Sequence, residues 1–196
     1  MAEIKCEGLK PGEDKIIQDM ADQMFDEHQK IIAITHMPGG LTNRNFKVEF
    51  DNGRKYAFRI AGEGTAEYLN RPCEHDAVAK VQIIGGSPMF YWYDEKTGSN
   101  ICRFVEGDTM QAPDFRARKD VVEHAAQLVR NIHTSGLKLN YVFNPFAERV
   151  CYEQYLKDNN WTRFYEELPE IDAVYAKLQT AFEAHPFDRV SCHNDC

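Results

Sequence analysis

The apolar pattern of this chain changes period at Gly107, and that change limits the folds open to it. Between residues 30 and 105 apolar side chains recur mostly at every second position, the spacing of half-buried strands. From 108 onward they recur at helical spacing. The chain therefore reads as α+β, a β-rich half over 30–105 followed by a helical half over 108–196. A leading amphipathic helix is expected over 12–29, behind Pro11-Gly12, where Ile16, Ile17, Met20, Met24 and Phe25 fall at helical spacing.

Within the β-rich half, Lys30 to Met37 is a β-branched run, Phe46 to Phe50 alternates apolar and polar, and Lys55 to Ile60 returns as its partner. Asp51-Asn52-Gly53 supplies the positive-φ positions of a tight hairpin turn. A helix is expected at about 71–83, then a second hairpin, Met89 to Tyr93 and Asn100 to Val105, around Thr97-Gly98. The aromatic run Phe90-Tyr91-Trp92-Tyr93 suits a strand buried on one face. In the helical half, Val121, Val122, Ala125, Leu128, Val129 and Ile132 form a stripe that predicts a core helix over 120–134, stopped at Gly136. Helices over 146–158 and 169–185 follow, the second carrying Ile171, Val174, Leu178 and Phe182. The last eleven residues leave it at Pro186.

A formal charge of −8, from 23 Lys+Arg against 31 Asp+Glu, and the lack of a basic cluster argue against a nucleic-acid partner. No apolar run suits a secretory signal or a bilayer span, so no membrane partner is expected. The six cysteines include no C-x-x-C pair and read as reduced thiols, which points to the cytoplasm. No metal-ligand set is assigned, because Cys192, His193 and Cys196 crowd one end with no second ligand pair.

Three places carry candidate chemistry. In the loop Pro38 to Asn45, Gly39, Gly40, Leu41, Thr42, Asn43 and Asn45 expose backbone N–H groups and let the main chain approach an anion; the same glycines also suit a plain hairpin turn. Arg59 shares one strand face with Ala57, and Glu74 shares a helical stripe with Ala77, Val78 and Val81, so the two can meet over the sheet. A purely structural ion pair, or two solvated charges, explains them equally well. Cys192-His193-Asn194-Asp195 places an Asp on a turn where it could accept a proton from a substrate hydroxyl, or simply end a polar loop.

In this order the pieces resemble the protein-kinase-like phosphotransferases. The wording GGLTNRNF at 39–46, RIAGEGT at 59–65, NRPCEHDA at 70–77, FVEG at 104–107 and CHND at 192–195 is similar to the choline and ethanolamine kinases, bacterial choline kinases above all, and the likeness runs from about residue 30 to the end. The resemblance implies a two-lobe fold: an antiparallel-sheet N-lobe with one packed helix over 1–106, and a partial, mostly helical C-lobe over 107–196. It implies ATP, with the 39–45 loop over the phosphates, Arg59 in the place of the kinase strand-three lysine, Glu74 orienting it, and Arg103, Phe104 and Val105 in the hinge that meets adenine. Asp195 would be the catalytic base for choline or ethanolamine, held by His193 and Asn194.

The family pattern also places an Asn five residues after the base and a later Asp on Mg²⁺. The sequence stops one residue after Asp195, so the Mg²⁺ ligands are expected beyond it. The resemblance thus implies a C-terminally truncated chain, inactive or nearly so, with most of the aromatic acceptor cage missing and exposed apolar surface that favours self-association. Two other readings stay open: a non-catalytic nucleotide-binding or regulatory module, and a kinase of another small alcohol such as thiamine or an aminoglycoside. A third is an interaction fragment without a ligand.

Overall fold

The computed structural model describes residues 4–40, 42–65, 69–185 and 187–193. Two compact units form. One runs to Asn140 and takes in the segment from Ser191; the other is Tyr141–Val190. The boundary expected at 106/107 follows element type, whereas this division follows compactness and leaves the helices of 112–134 with the sheet.

The first unit is built on a six-stranded sheet: β1 (Lys5–Glu7), β2 (Ile31–Met37), β3 (Arg44–Phe50), β4 (Lys55–Ile60), β5 (Phe90–Tyr93) and β6 (Asn100–Arg103), in the order β1-β2-β3-β4-β6-β5. β1 joins β2 in parallel, and every other pairing is antiparallel. The tight turn forms as expected, with Gly53 at φ 80° and its N–H bonded to the Phe50 carbonyl. Alternation then sorts the side chains. Phe46, Val48 and Phe50 of β3, Tyr56 and Phe58 of β4, and Ile101 of β6 lie on one buried face, packed with Ile17, Met20 and Ala21 of helix α1 (Glu13–Met24). The opposite face carries Asn45, Ala57, Arg59, Asn100 and Cys102, in the registers Asn45↔Arg59↔Asn100 and Ala57↔Cys102.

Helix α2 (Arg71–Val81) follows β4, capped by the Asn70 side chain, which accepts from the Cys73 N–H at 3.1 Å. A 3-10 turn over Gln82–Ile84 continues it, then come β5, β6, α3 (Ala112–Ala117) and α4 (Lys119–Thr134). In the second unit, α5 (Pro145–Asp158) and α6 (Leu168–Ala184) pack Phe146 against Tyr175 and Phe182 at centroid distances of 5.0 and 5.4 Å. Arg149 joins Glu153 and Asp172 over the Tyr175 ring.

Several expectations need correcting. The leading helix stops at Met24 rather than 29, because Phe25 turns extended and drives its ring between Phe50 and Tyr56, 5.5 and 5.7 Å away. The strand expected to reach Val105 ends at Arg103. The aromatic run forms the sheet edge, with Tyr91 exposed, since β6 rather than β5 pairs with β4. The α4 stripe buries only Val121 and Ile132 fully and leaves Val122 and Leu128 exposed. On α6, Ile171, Val174 and Leu178 are also exposed. Among the described residues no helix is long and apolar enough to cross a membrane.

Candidate nucleotide site

The polar face of the sheet, α2 and two loops converge at one end of β4. Gly39 and Gly40 both adopt positive φ, 127° and 84°, a region that only glycine enters at little cost. A Cβ on Gly40 would come within 3.3 Å of the Asn43 carbonyl oxygen. The loop is tied down by the segment after β4, where the Gly62 N–H donates to Asn43 Oδ1 at 3.3 Å. Gly62 itself has no room for a side chain, because a Cβ there would lie 2.5 Å from the Thr42 carbonyl oxygen. Arg44, which begins β3, pairs with Glu13 at the start of α1 and donates to the Gly8 carbonyl at 2.9 Å, fixing the other end of the loop. Asn43 therefore shapes the loop through an engaged oxygen, while Asn45 stands on the face that holds Arg59.

Arg59 and Glu74 meet as alternation and helical spacing require. Arg59 Nη2 donates to Glu74 Oε1 at 2.5 Å and to the Gly98 carbonyl at 2.8 Å. The second carboxylate oxygen accepts from Arg71 Nη1 at 2.5 Å and from the Tyr93 hydroxyl at 2.7 Å. Burial pushes the Glu74 carboxyl up, but the hydrogen bonds from Arg59, Tyr93 and Arg71 outweigh it and hold the group below its ordinary value. Burial, reinforced by donation to Glu74, drives the Tyr93 phenol well above its usual range.

Two guanidiniums thus share one carboxylate, which leaves a net positive charge in a half-buried site. The Nε atoms of both Arg59 and Arg71 are buried without a hydrogen-bond partner among the described residues. Arg59, partly open to solvent beside a glycine loop, offers that positive charge to an oxyanion, and the phosphates of ATP meet that requirement. Arg71, Tyr93, Thr65 and Gly62 were not assigned from the sequence. The signal for Arg71 was its i,i+3 spacing from Glu74.

The other expected residues lie apart from this cluster. Arg103 stands across from Tyr56, three residues along β4 from Arg59, or about 10 Å at the rise of a strand. Phe104 and Val105 follow outside the ladder, Phe104 beneath the Lys47 ammonium and Val105 exposed. Ala57 and the half-buried Cys102 cover the floor between the two ends, and burial raises the Cys102 thiol. His193 is exposed. Its approach is docked by Ser191, which donates to the Leu137 carbonyl at 2.9 Å, and α2 grips the same stretch through Asp76 to the Asn140 N–H and Lys80 to the Lys138 carbonyl. Leu41, Asn194 and Asp195 lie outside the described residues. Among the described residues no group of three or more His, Cys, Asp or Glu side chains could hold a metal ion.

No protein-family model matches the sequence, and no curated protein does. Solved structures do. A choline/ethanolamine kinase family protein from Mesorhizobium loti is 27% identical, with a TM-score of 0.65 over 83% of this chain and 51% of that one. Choline kinase LicA from Streptococcus pneumoniae is 23% identical, with a TM-score of 0.73 over 92% of this chain and 60% of that one. A structure of LicA in complex with AMP gives the same identity and TM-score over 91% and 60%. The fold is that of the protein-kinase-like superfamily. Within it, the likeness is to the choline/ethanolamine kinase type, and this chain spans 51% and 60% of the length of those proteins.

Proposed function

We propose that these residues form the nucleotide-binding part of an ATP-dependent phosphotransferase that acts on the hydroxyl of choline or ethanolamine, with residues 1–106 as the nucleotide lobe. The observation that carries the reading is the Arg59–Glu74–Arg71 cluster beside the glycine loop: two cations on one carboxylate, with Arg59 partly open to solvent. Phosphates sit at that end, and adenine lies along Ala57 and Cys102 toward the backbone of Arg103 to Val105, a span of about 10 Å that suits a nucleotide. The LicA structure with AMP supports a nucleotide on this fold. Asp195 is the base for the acceptor hydroxyl, assisted by His193 and Asn194. Catalysis in such a site is mainly positioning and charge neutralisation.

Thermal unfolding in the presence of ATP, AMP or adenosine tests the nucleotide half. Protection should rise with the number of phosphates, because the cationic end reads phosphate. Equal protection by adenosine and ATP would contradict it. Phosphorus NMR with choline, ethanolamine and an aminoglycoside tests the acceptor: phosphorylation of the aminoglycoside in place of either alcohol overturns that part.

A further inference from the structure

Arg71 is the most buried charge of the cluster, 4% exposed, and its position is unfavourable on local grounds. It opens α2, where the positive end of the helix dipole disfavours a cation. Only specific partners can hold it there, and they come from three directions. Nη1 donates to Glu74 on its own helix, and Nη2 to Thr65 Oγ1 at 2.5 Å. The Gly98 turn lies against the guanidinium so closely that a Cβ on Gly98 would collide with it. Thr65, itself buried, passes the contact on: its hydroxyl donates to the Gly62 carbonyl at 2.7 Å. Gly62 in turn holds Asn43 and abuts the Thr42 carbonyl. A continuous chain of contacts therefore runs from Arg59 through Glu74, Arg71, Thr65 and Gly62 to the glycine loop.

We propose that Arg71 is a positioning residue that sets the glycine loop in register with Arg59, so that one ligand meets both at once. The mechanical link stands on the hydrogen bonds above; the identity of the ligand as ATP rests on the proposed function. A lysine cannot replace it, because an ammonium lacks the planar fork that spans Glu74 and Thr65 together. Thr65→Val removes the relay hydroxyl at nearly constant shape and leaves the Arg71–Glu74 pair in place.

Hydrogen–deuterium exchange of the unliganded protein, read over 38–46 and separately over 46–60, tests the link together with ATP titration. Thr65→Val and Arg71→Lys should each speed exchange across 38–46 by about tenfold, leave 46–60 protected, and weaken ATP by roughly three- to tenfold. With Arg59→Ala, either change should cost less than the sum of the two alone, the mark of a shared pathway. Unchanged exchange over 38–46 in folded Thr65→Val overturns the proposal, whatever happens to ATP. Thr65→Val decides alone if Arg71→Lys does not fold. A wild-type chain that binds no ATP but shows the exchange effect keeps the link and removes the nucleotide reading.

Discussion

Replacing Arg59 by alanine is expected to lower ATP affinity by about ten- to a hundredfold, the loss of the proposed charge-assisted contact to phosphate, worth roughly 1.5–3 kcal/mol. The side chain is anchored at its tip by Glu74 and the Gly98 carbonyl, so it meets a ligand without first losing rotamer freedom. Arg59→Lys should fall between: the charge remains, but an ammonium lacks the planar fork that holds Glu74 and the Gly98 carbonyl while offering a further N–H to phosphate. Calorimetric titration of the three proteins measures the series. Equal affinity in a folded Arg59→Ala variant would mean that the phosphates lie elsewhere.

Glu74→Gln has its largest effect on stability. The substitution keeps the shape but leaves Arg59 and Arg71 facing each other without a carboxylate, and breaking a buried pair of this kind costs on the order of 2–4 kcal/mol when the site is partly hydrated. The sign of its pH dependence follows from the lowered Glu74 carboxyl. A carboxyl held below its unfolded value stabilises the fold fully above that value, near 4.3, and loses the contribution as pH falls through the folded value. Urea unfolding should therefore show a wide gap between wild type and Glu74→Gln at pH 7, closing below about pH 4. A gap that stays constant to pH 3 would show that Glu74 does not titrate as the hydrogen bonds require.

Much of this site was legible because two short periods intersect in it. Alternation from Lys55 to Ile60 fixed the face of Arg59, and the stripe of Glu74, Ala77, Val78 and Val81 aimed Glu74 at the same sheet. The Asp51-Asn52-Gly53 turn fixed the register that places Asn45 beside Arg59. What escaped depends on contacts distant in sequence. Arg71 reads locally as a solvated first-turn charge, and its burial comes from the Gly98 turn folding over it. Strand β1 has three exposed residues and no alternation, so only its parallel partner β2 defines it. Helix α3 did leave a local sign, a capping box between Gln111 and Asp114 around Pro113, in a stretch that reads as a connector. Phe25 continues the phase of α1 yet leaves the helix, because two rings in the core compete for it.

One cationic end of the sheet, framed by Gly39, Gly40, Arg59 and Arg71, is the proposed seat of the nucleotide phosphates. Titrating ATP into the folded wild-type protein by calorimetry tests it most directly. The expected result is saturable binding at one site per chain, weakened by added salt because the contact is ionic. No heat and no thermal protection at millimolar ATP, from a protein that circular dichroism shows to be folded, would contradict it.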